Sequence, residues 1–132
     1  GCCQFHGVVG TAVTKICDLL VARTGLSLME ARRFGFAATT VPVTTNSRAG
    51  AYPGNEKITI TLILDKGTKR VLGAEMVGKE GIAKRIDVIA TALYNQMTVE
   101  TLSQLELSSA PPFAPVWDPI LVAANVGTKK VS

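Results

Sequence analysis

The stretch 57-KITITLILDKGTKRVLGAEMV-77 decides the fold class. Along its first half, apolar residues alternate with polar ones at Ile58, Ile60, Leu62 and Leu64. Ile63 is the one exception to this alternation. A period of two is typical of a strand with one buried face. Residues 65–68 read as a hairpin turn, and residues 71–77 return as the next strand. The stretch therefore predicts an antiparallel hairpin.

Helices are predicted on both sides of this hairpin. Ser27 and Glu30 form a capping box for a helix over residues 28–34, which precedes a strand over 36–43. A long helix follows over 82–96, and Thr98 begins a short one. Asp118 and Pro119 then begin a helix through Asn125, before a frayed tail over 127–132. This order predicts an α+β fold, an antiparallel β-sheet packed with helices.

The N-terminal part is predicted to be an apolar helix over residues 8–22. Five residues follow a helical period: Val9, Ala12, Val13, Ile16 and Leu20. The other side is apolar as well, so we expect another domain to cover this helix. The sequence also opens on Gly1 inside what reads as structure. We therefore expect the chain to be a piece of a longer protein.

The composition excludes several classes of protein. The chain has 132 residues, of which 47% are hydrophobic and 18% charged, which argues against intrinsic disorder. Lys15, Asp18 and Arg23 interrupt the most apolar region, so no membrane span is predicted. The mean hydropathy of +0.29 indicates apolar surface that another protein surface covers.

Charge and cysteine content argue against nucleic-acid and metal binding. The net charge is +4, but the basic residues are scattered and only 5% of residues are aromatic. Cys2, Cys3 and Cys17 lack the spacing of metal ligands, and His6 is the only histidine, so no metal is expected. The few cysteines and the absence of a recognisable signal peptide favour a cytoplasmic location.

No complete active site is predicted. Gly7 and Gly10 resemble half of a dinucleotide-binding turn, but no strand precedes them. No histidine follows residue 6 to serve as a general base, and no neighbour activates Ser108 or Ser109.

The segment 108–119 differs in amino-acid composition from the rest of the chain. It contains four of the six prolines and the only tryptophan, so we expect an extended, stiff segment. Two interpretations remain open: Phe113 and Trp117 cover the sheet, or the segment inserts into a partner subunit.

Four stretches together resemble a known family: residues 10–26, 73–78, 84–92 and 105–119. They are similar to the C-terminal dimerisation domain of the FAD-dependent pyridine nucleotide-disulfide oxidoreductases, in particular the coenzyme A-disulfide reductase and NADH oxidase branch. The resemblance implies that residues 1–26 are a terminal helical remnant of an FAD-binding domain, 27–126 the dimerisation domain and 127–132 a flexible tail.

The resemblance also implies the function of the parent enzyme. Hydride would pass from NAD(P)H through FAD to a cysteine centre and a disulfide or related acceptor, with FAD and NAD(P)H bound by other domains of the same chain and none by this fragment. In a homodimer, Ala110, Pro111, Pro112 and Phe113 would lie near the partner's flavin. The alternative is an independent α+β protein-binding module without redox activity.

Individual residues follow from the same resemblance. Tyr52 matches a family tyrosine of the substrate site, whereas Ser109 stands where coenzyme A-disulfide reductases have a second tyrosine. Phe113 and Trp117 are expected at the subunit interface. Arg85 and Asp87 are expected to form an exposed or interface ion pair of modest strength. The electron acceptor and the choice between NADH and NADPH stay open.

Overall fold

One antiparallel sheet organises the molecule. The structure is a computed structural model that describes residues 9–132. Its strands are Ala12–Ile16 (β1), Leu19–Gly25 (β2), Ala38–Asn46 (β3), Lys57–Asp65 (β4) and Val71–Gly78 (β5). Its helices are Leu28–Arg33 (α1), Ile82–Tyr94 (α2), Val99–Ser103 (α3) and Pro119–Val131 (α4). The strand order is β1-β2-β5-β4-β3 with antiparallel pairing throughout. The predicted α+β fold is confirmed.

The hairpin of β4 and β5 forms the centre of the core, as predicted. Ile58, Ile60, Leu62 and Leu64 are all 0% exposed and face α2, α3 and α4. Ile63, the exception in the alternation, packs on the opposite face in a smaller cluster beneath α1. Each such burial stabilises the fold by roughly 1.5–3 kcal/mol, so this one strand contributes a large share of the hydrophobic free energy.

The helix starts predicted from the sequence are confirmed. Ser27 accepts a hydrogen bond from the Glu30 amide, and the Glu30 carboxylate accepts one from the Ser27 amide. Thr98 caps α3, and Asp118 caps α4 with Pro119 in the first turn. These local interactions satisfy amides that a helix cannot pair internally.

The predicted helix over residues 8–22 is wrong, because residues 12–25 form β1 and β2. Cys17 adopts φ +56° in the turn between the two strands, where it is exposed and free. All five residues of β1 are exposed, so its apolar residues do not alternate in burial and match a helical spacing by chance. Val13, Thr14 and Ile16 are β-branched, which favours a strand.

The predicted helical remnant over residues 1–26 is therefore wrong for residues 12–25. β2 pairs along its length with β5, from Leu20 opposite Gly78 to Gly25 opposite Gly73. Residues 12–25 therefore share one sheet with the remainder of the domain. Cys2, Cys3, His6 and Gly7, which entered the cysteine and glycine predictions, lie outside the described residues.

The predicted flexible tail over residues 127–132 is wrong as well, because α4 continues to Val131. Gly127, the first residue of the predicted tail, is buried within the helix. A Cβ at this position would lie 2.9 Å from Leu64 Cδ1 and 3.0 Å from Val99 Cγ2. Close packing of α4 on the core therefore explains the glycine.

One face of the sheet is covered and most of the other is open. α2 and α4 pack on the covered face, and α1 contacts β3. Val21 and Val77 lie opposite each other on the open face and are each 38% exposed. Within residues 9–132, no helix combines the length and apolar character that crossing a bilayer requires.

Candidate functional site

The proline–aromatic segment folds into a tight turn rather than the extended segment predicted. The amides of Phe113 and Ala114 both donate to the Ala110 carbonyl, at 2.8 and 2.9 Å. Ala110 and Ala114 also form an isolated β-bridge. We call residues 110–118 the aromatic turn. The prolines exclude helix and inner strand, as expected, but they permit a turn.

The aromatic turn presents its large apolar side chains to solvent. Phe113 is 73% exposed, Val116 79% and Trp117 62%. The interpretation that Phe113 and Trp117 cover the sheet is therefore wrong. Ala114 is the member whose side chain enters the core, at 1% exposed. Three exposed apolar side chains so close in sequence form a surface suited to a protein partner.

A buried ion pair holds the end of the aromatic turn. Arg85 and Asp118 are 1% and 3% exposed, and Arg85 Nη2 lies 3.1 Å from Asp118 Oδ2. Arg85 Nε donates to both carboxylate oxygens of Asp118 at 3.2 Å. Breaking such a pair leaves an uncompensated buried charge, which is strongly destabilising.

The predicted ion pair between Arg85 and Asp87 is wrong. Residues two apart on a helix point in different directions, so these side chains do not meet. Arg85 lies three residues after Ile82 and just before Ile86, on the buried face of α2. Asp87 is exposed. Because Arg85 is buried within one subunit, it is not the surface interface residue that was expected.

The loop between β3 and β4 forms a second polar cluster beside the turn. Arg48 Nη2 lies 2.6 Å from Glu80 Oε2, and the buried Ser47 hydroxyl donates to Glu80 Oε1. Hydrogen bonding from Arg48, aided by Ser47, lowers the pKa of Glu80 against the opposing effect of burial. The same contact raises the pKa of Arg48. Glu80 is therefore held as a carboxylate.

This loop contacts the aromatic turn directly. The Ala49 amide donates to the Pro111 carbonyl at 3.4 Å. Arg48, Glu80, Pro112 and Phe113 line one cavity of about 220 Å³ together with Ser47, Gly81, Lys84 and Arg85. The lining combines the apolar Pro112 and Phe113 with polar groups, and both of its arginines are ion-paired, Arg48 with Glu80 and Arg85 with Asp118. Such a cavity suits the polar part of a ligand whose apolar part lies against Phe113.

The two candidate substrate-site residues have different surroundings. Tyr52 is 36% exposed, and the Arg48 guanidinium carbon lies 5.9 Å from its ring centre, within cation–π distance. Ser109 is exposed and immediately precedes the turn. Arg48 thus contacts the Tyr52 ring and also lines the cavity, whereas Ser109 lies on the surface just before the turn.

A comparison with protein families identifies the domain. Residues 11–119 match the family model described as the pyridine nucleotide-disulphide oxidoreductase dimerisation domain. The chain belongs to this family. The dimerisation domain therefore includes β1 and β2, which agrees with their place in the sheet.

Two curated relatives of the dimerisation domain are named as reductases of sulfur compounds. It is 42% identical over 123 residues to an NAD(P)H coenzyme A polysulfide/persulfide reductase of Pyrococcus horikoshii, covering 93% of this chain and 27% of that protein. It is 36% identical over 111 residues to a coenzyme A disulfide reductase of Staphylococcus aureus, covering 84% and 25%. The chain thus spans about a quarter of the length of these relatives.

A solved structure shows the same fold. The dimerisation domain aligns with an NAD-dependent persulfide reductase from A. fulgidus at a TM-score of 0.93 and 40% identity. The alignment covers 96% of this chain and 24% of that one. The predicted family and fold class are both confirmed.

Sequence reasoning missed most of the polar residues around the turn. Ser47, Arg48 and Glu80 were not predicted, and Asp118 was predicted only as a helix cap. Arg85 and Asp118 lie 33 residues apart, so no local spacing reveals their contact. One signal was available, because a basic residue on the apolar stripe of the dimerisation domain's long helix requires a buried partner.

In residues 9–132, no group of three His, Cys, Asp or Glu side chains is placed to hold a metal ion. The polar residues around the turn are instead paired with one another, as Arg48 with Glu80 and Arg85 with Asp118.

Proposed function

We propose that this dimerisation domain serves a homodimeric, FAD-dependent NAD(P)H oxidoreductase that reduces a disulfide or related sulfur acceptor. In this proposal, Ala110 to Phe113 reach the partner subunit and lie beside its flavin site. The supporting observation is the aromatic turn, which exposes Phe113 and Trp117 while Ala114 and Asp118 anchor it in the core. Burial of aromatic side chains on a preorganised turn favours association at low entropic cost.

The dimerisation domain is not itself suited to hold the cofactors. Dinucleotides bind where parallel strands lead into helices through glycine-rich turns. Every strand pairing among the described residues is antiparallel. We therefore assign FAD and NAD(P)H to other domains of the parent enzyme, and limit this domain to contacts made from outside the cofactor sites.

The sulfur acceptor is proposed from the named relatives and from the polar groups near the turn. Relatives are named for coenzyme A disulfide and for polysulfide or persulfide reduction. The Tyr52 hydroxyl can donate a hydrogen bond, and the Arg48 guanidinium carbon lies 5.9 Å from the centre of its ring. In this proposal Tyr52 and Ser109 contact the acceptor, with Ser109 offering a shorter donor than a tyrosine would.

The first test uses the 132-residue chain. We expect a colourless protein that does not oxidise NADH and that self-associates in sedimentation experiments. Stoichiometric bound FAD, or NADH oxidation by this chain, would contradict the assignment of the cofactors to other domains. A strictly monomeric chain would contradict the proposed self-association of this domain.

The second test uses the full-length oxidoreductase that contains this domain. Phe113→Ala is expected to lower turnover with a sulfur acceptor while leaving the bound FAD content unchanged. Phe34→Ala is the matched control, because Phe34 is 69% exposed, close to the 73% of Phe113, but lies next to α1. Equal turnover in the two variants would exclude the aromatic turn from the active site.

A further inference from the structure

The aromatic turn has little apolar packing of its own. Two cavities flank it: one of about 220 Å³ beside Pro112 and Phe113, and one of about 230 Å³ beside Ser108 and Asp118. Ala114 is its single buried apolar member apart from the half-buried Pro112 and Pro115. Since the cavities interrupt contact with the core, the position of the turn depends on polar contacts.

Arg85 lines both cavities and also forms the buried ion pair with Asp118. Its guanidinium reaches three backbone or side-chain groups from different parts of the chain. Nε and Nη2 bind Asp118, Nη2 also donates to the Ser47 carbonyl at 3.2 Å, and Nη1 donates to the Gly81 carbonyl at 2.9 Å. A planar guanidinium can make these contacts at the same time, whereas an ammonium cannot.

Two of these contacts lead to the turn. Asp118 ends the turn and caps α4 by accepting from the Ile120 amide at 2.9 Å. Ser47 begins the loop whose Ala49 amide donates to the Pro111 carbonyl. One buried side chain therefore contacts the end of the turn directly and its beginning through the loop.

Gly81 gives Arg85 the space that it needs. Gly81 has φ +69° and caps α2, and a Cβ there would lie 2.2 Å from Arg85 Nη1. The left-handed backbone conformation and the close approach both favour glycine.

We propose that Arg85 is the positioning residue of the aromatic turn. It sets the direction in which Phe113 and Trp117 face the partner subunit, without touching the partner itself. This inference rests on the proposed function, because it concerns the turn that the proposed function places at the partner's flavin site.

The test measures amide hydrogen exchange in the 132-residue chain by NMR. The amides of Phe113 and Ala114 report on the turn, because both donate to Ala110. In Arg85→Met, their protection is expected to fall at least about tenfold more than the loss of global stability explains. In Arg85→Lys, which keeps the charge beside Asp118, part of that protection is expected to return.

The control variant separates positioning from general stability. Ile89→Ala lies one turn further along α2, at a position 0% exposed, and destabilises the core without touching the polar contacts. It is expected to lower the protection of the β4 amides. The protection of the Phe113 and Ala114 amides should fall no further than the loss of global stability explains. Protected Phe113 and Ala114 amides in Arg85→Met, or the same extra opening in Ile89→Ala, would overturn the proposal.

Self-association distinguishes this inference from the proposed function. If both are right, Arg85→Met weakens the dimer although Arg85 is buried, and Trp117→Ala weakens it too. If the turn opens in Arg85→Met while neither variant changes self-association, positioning stands and the proposed interface fails. If Trp117→Ala weakens the dimer and Arg85→Met does not, the interface stands and positioning fails.

Discussion

The β4 strand and the aromatic turn are held in place by different interactions. β4 buries Ile58, Ile60, Leu62 and Leu64 completely, and its burial supplies hydrophobic free energy to the fold. The turn leaves Phe113 and Trp117 73% and 62% exposed and is fixed by an ion pair and by backbone hydrogen bonds. Folding and association thus depend on different side chains, and Arg85 joins the end of the turn at Asp118 to the backbone at Ser47 and Gly81.

The largest expected effect is that of breaking the ion pair between Arg85 and Asp118. Arg85→Met is expected to cost about 3–5 kcal/mol in the free energy of unfolding, because it leaves Asp118 charged, buried and unpaired. Asp118→Asn in the same chain should recover part of this loss, since the amide is neutral and still caps α4. Urea denaturation of both variants checks this, and an equal loss in the single and double variants would contradict it.

A change in β4 should affect the fold alone. Ile60→Ala removes a side chain that is 0% exposed, with an expected cost of about 2–5 kcal/mol. Trp117 emission in the folded state should not change, because the turn does not depend on β4 packing. Thr61→Ala, on the opposite face of the same strand, serves as the control. A shift of the folded-state emission in Ile60→Ala would show that the two regions are not separate.

The reverse change should affect association alone. Trp117→Ala is expected to weaken self-association by about 2 kcal/mol if the residue lies at the centre of the interface. The free energy of unfolding at low protein concentration should change by no more than about 0.5 kcal/mol, because the side chain is exposed. Tyr94→Ala, which removes an aromatic side chain 65% exposed on α2, is the control for sedimentation equilibrium. Equal weakening by both variants would place the interface elsewhere.

The smallest expected effect is on the stability of the fold at acidic pH. The folded state lowers the pKa of Glu80 below its ordinary value of 4.5, chiefly through the hydrogen bond from Arg48. The resulting stabilisation is present above pH 4.5 and is lost as pH falls through the folded-state pKa. Glu80→Gln should therefore lose less stability than the unsubstituted chain as the pH falls below 4.5. Glu106→Gln, at an exposed position, is the control for the removal of charge, and identical pH profiles for all three proteins would contradict the prediction.

The parts of the fold that the sequence predicts are those determined by local interactions. The alternation in β4, the turn after it and the caps at Ser27, Thr98 and Asp118 each involve residues a few positions apart. Residues 12–25 were predicted wrongly because β1 is exposed on both faces, so burial leaves no period of two in its sequence. The tail over 127–132 was predicted wrongly because the residues that pack around Gly127, Leu64 and Val99, are distant in sequence.

The candidate site shows the same limit more strongly. From the residues alone, Phe113 and Trp117 either cover the sheet or enter a partner subunit, and only the family resemblance predicts them at the interface. The sequence does not predict that Arg85 pairs with Asp118, or that Arg48 pairs with Glu80, because these contacts span 33 and 32 residues. The charge of Arg85 suggested a surface position, whereas its place next to Ile86 determines that it is buried.

The two outer strands of the sheet differ in how they prevent further strand addition. β3 contains Pro42, which lacks an N–H and so hinders pairing with another chain. In the part of the chain that the structure describes, β1 has a strand neighbour on one side only and a single charged residue, Lys15. Polymerisation through backbone pairing would therefore begin at β1, and a proline or a second lysine in this strand is the substitution to choose when the domain is produced in isolation.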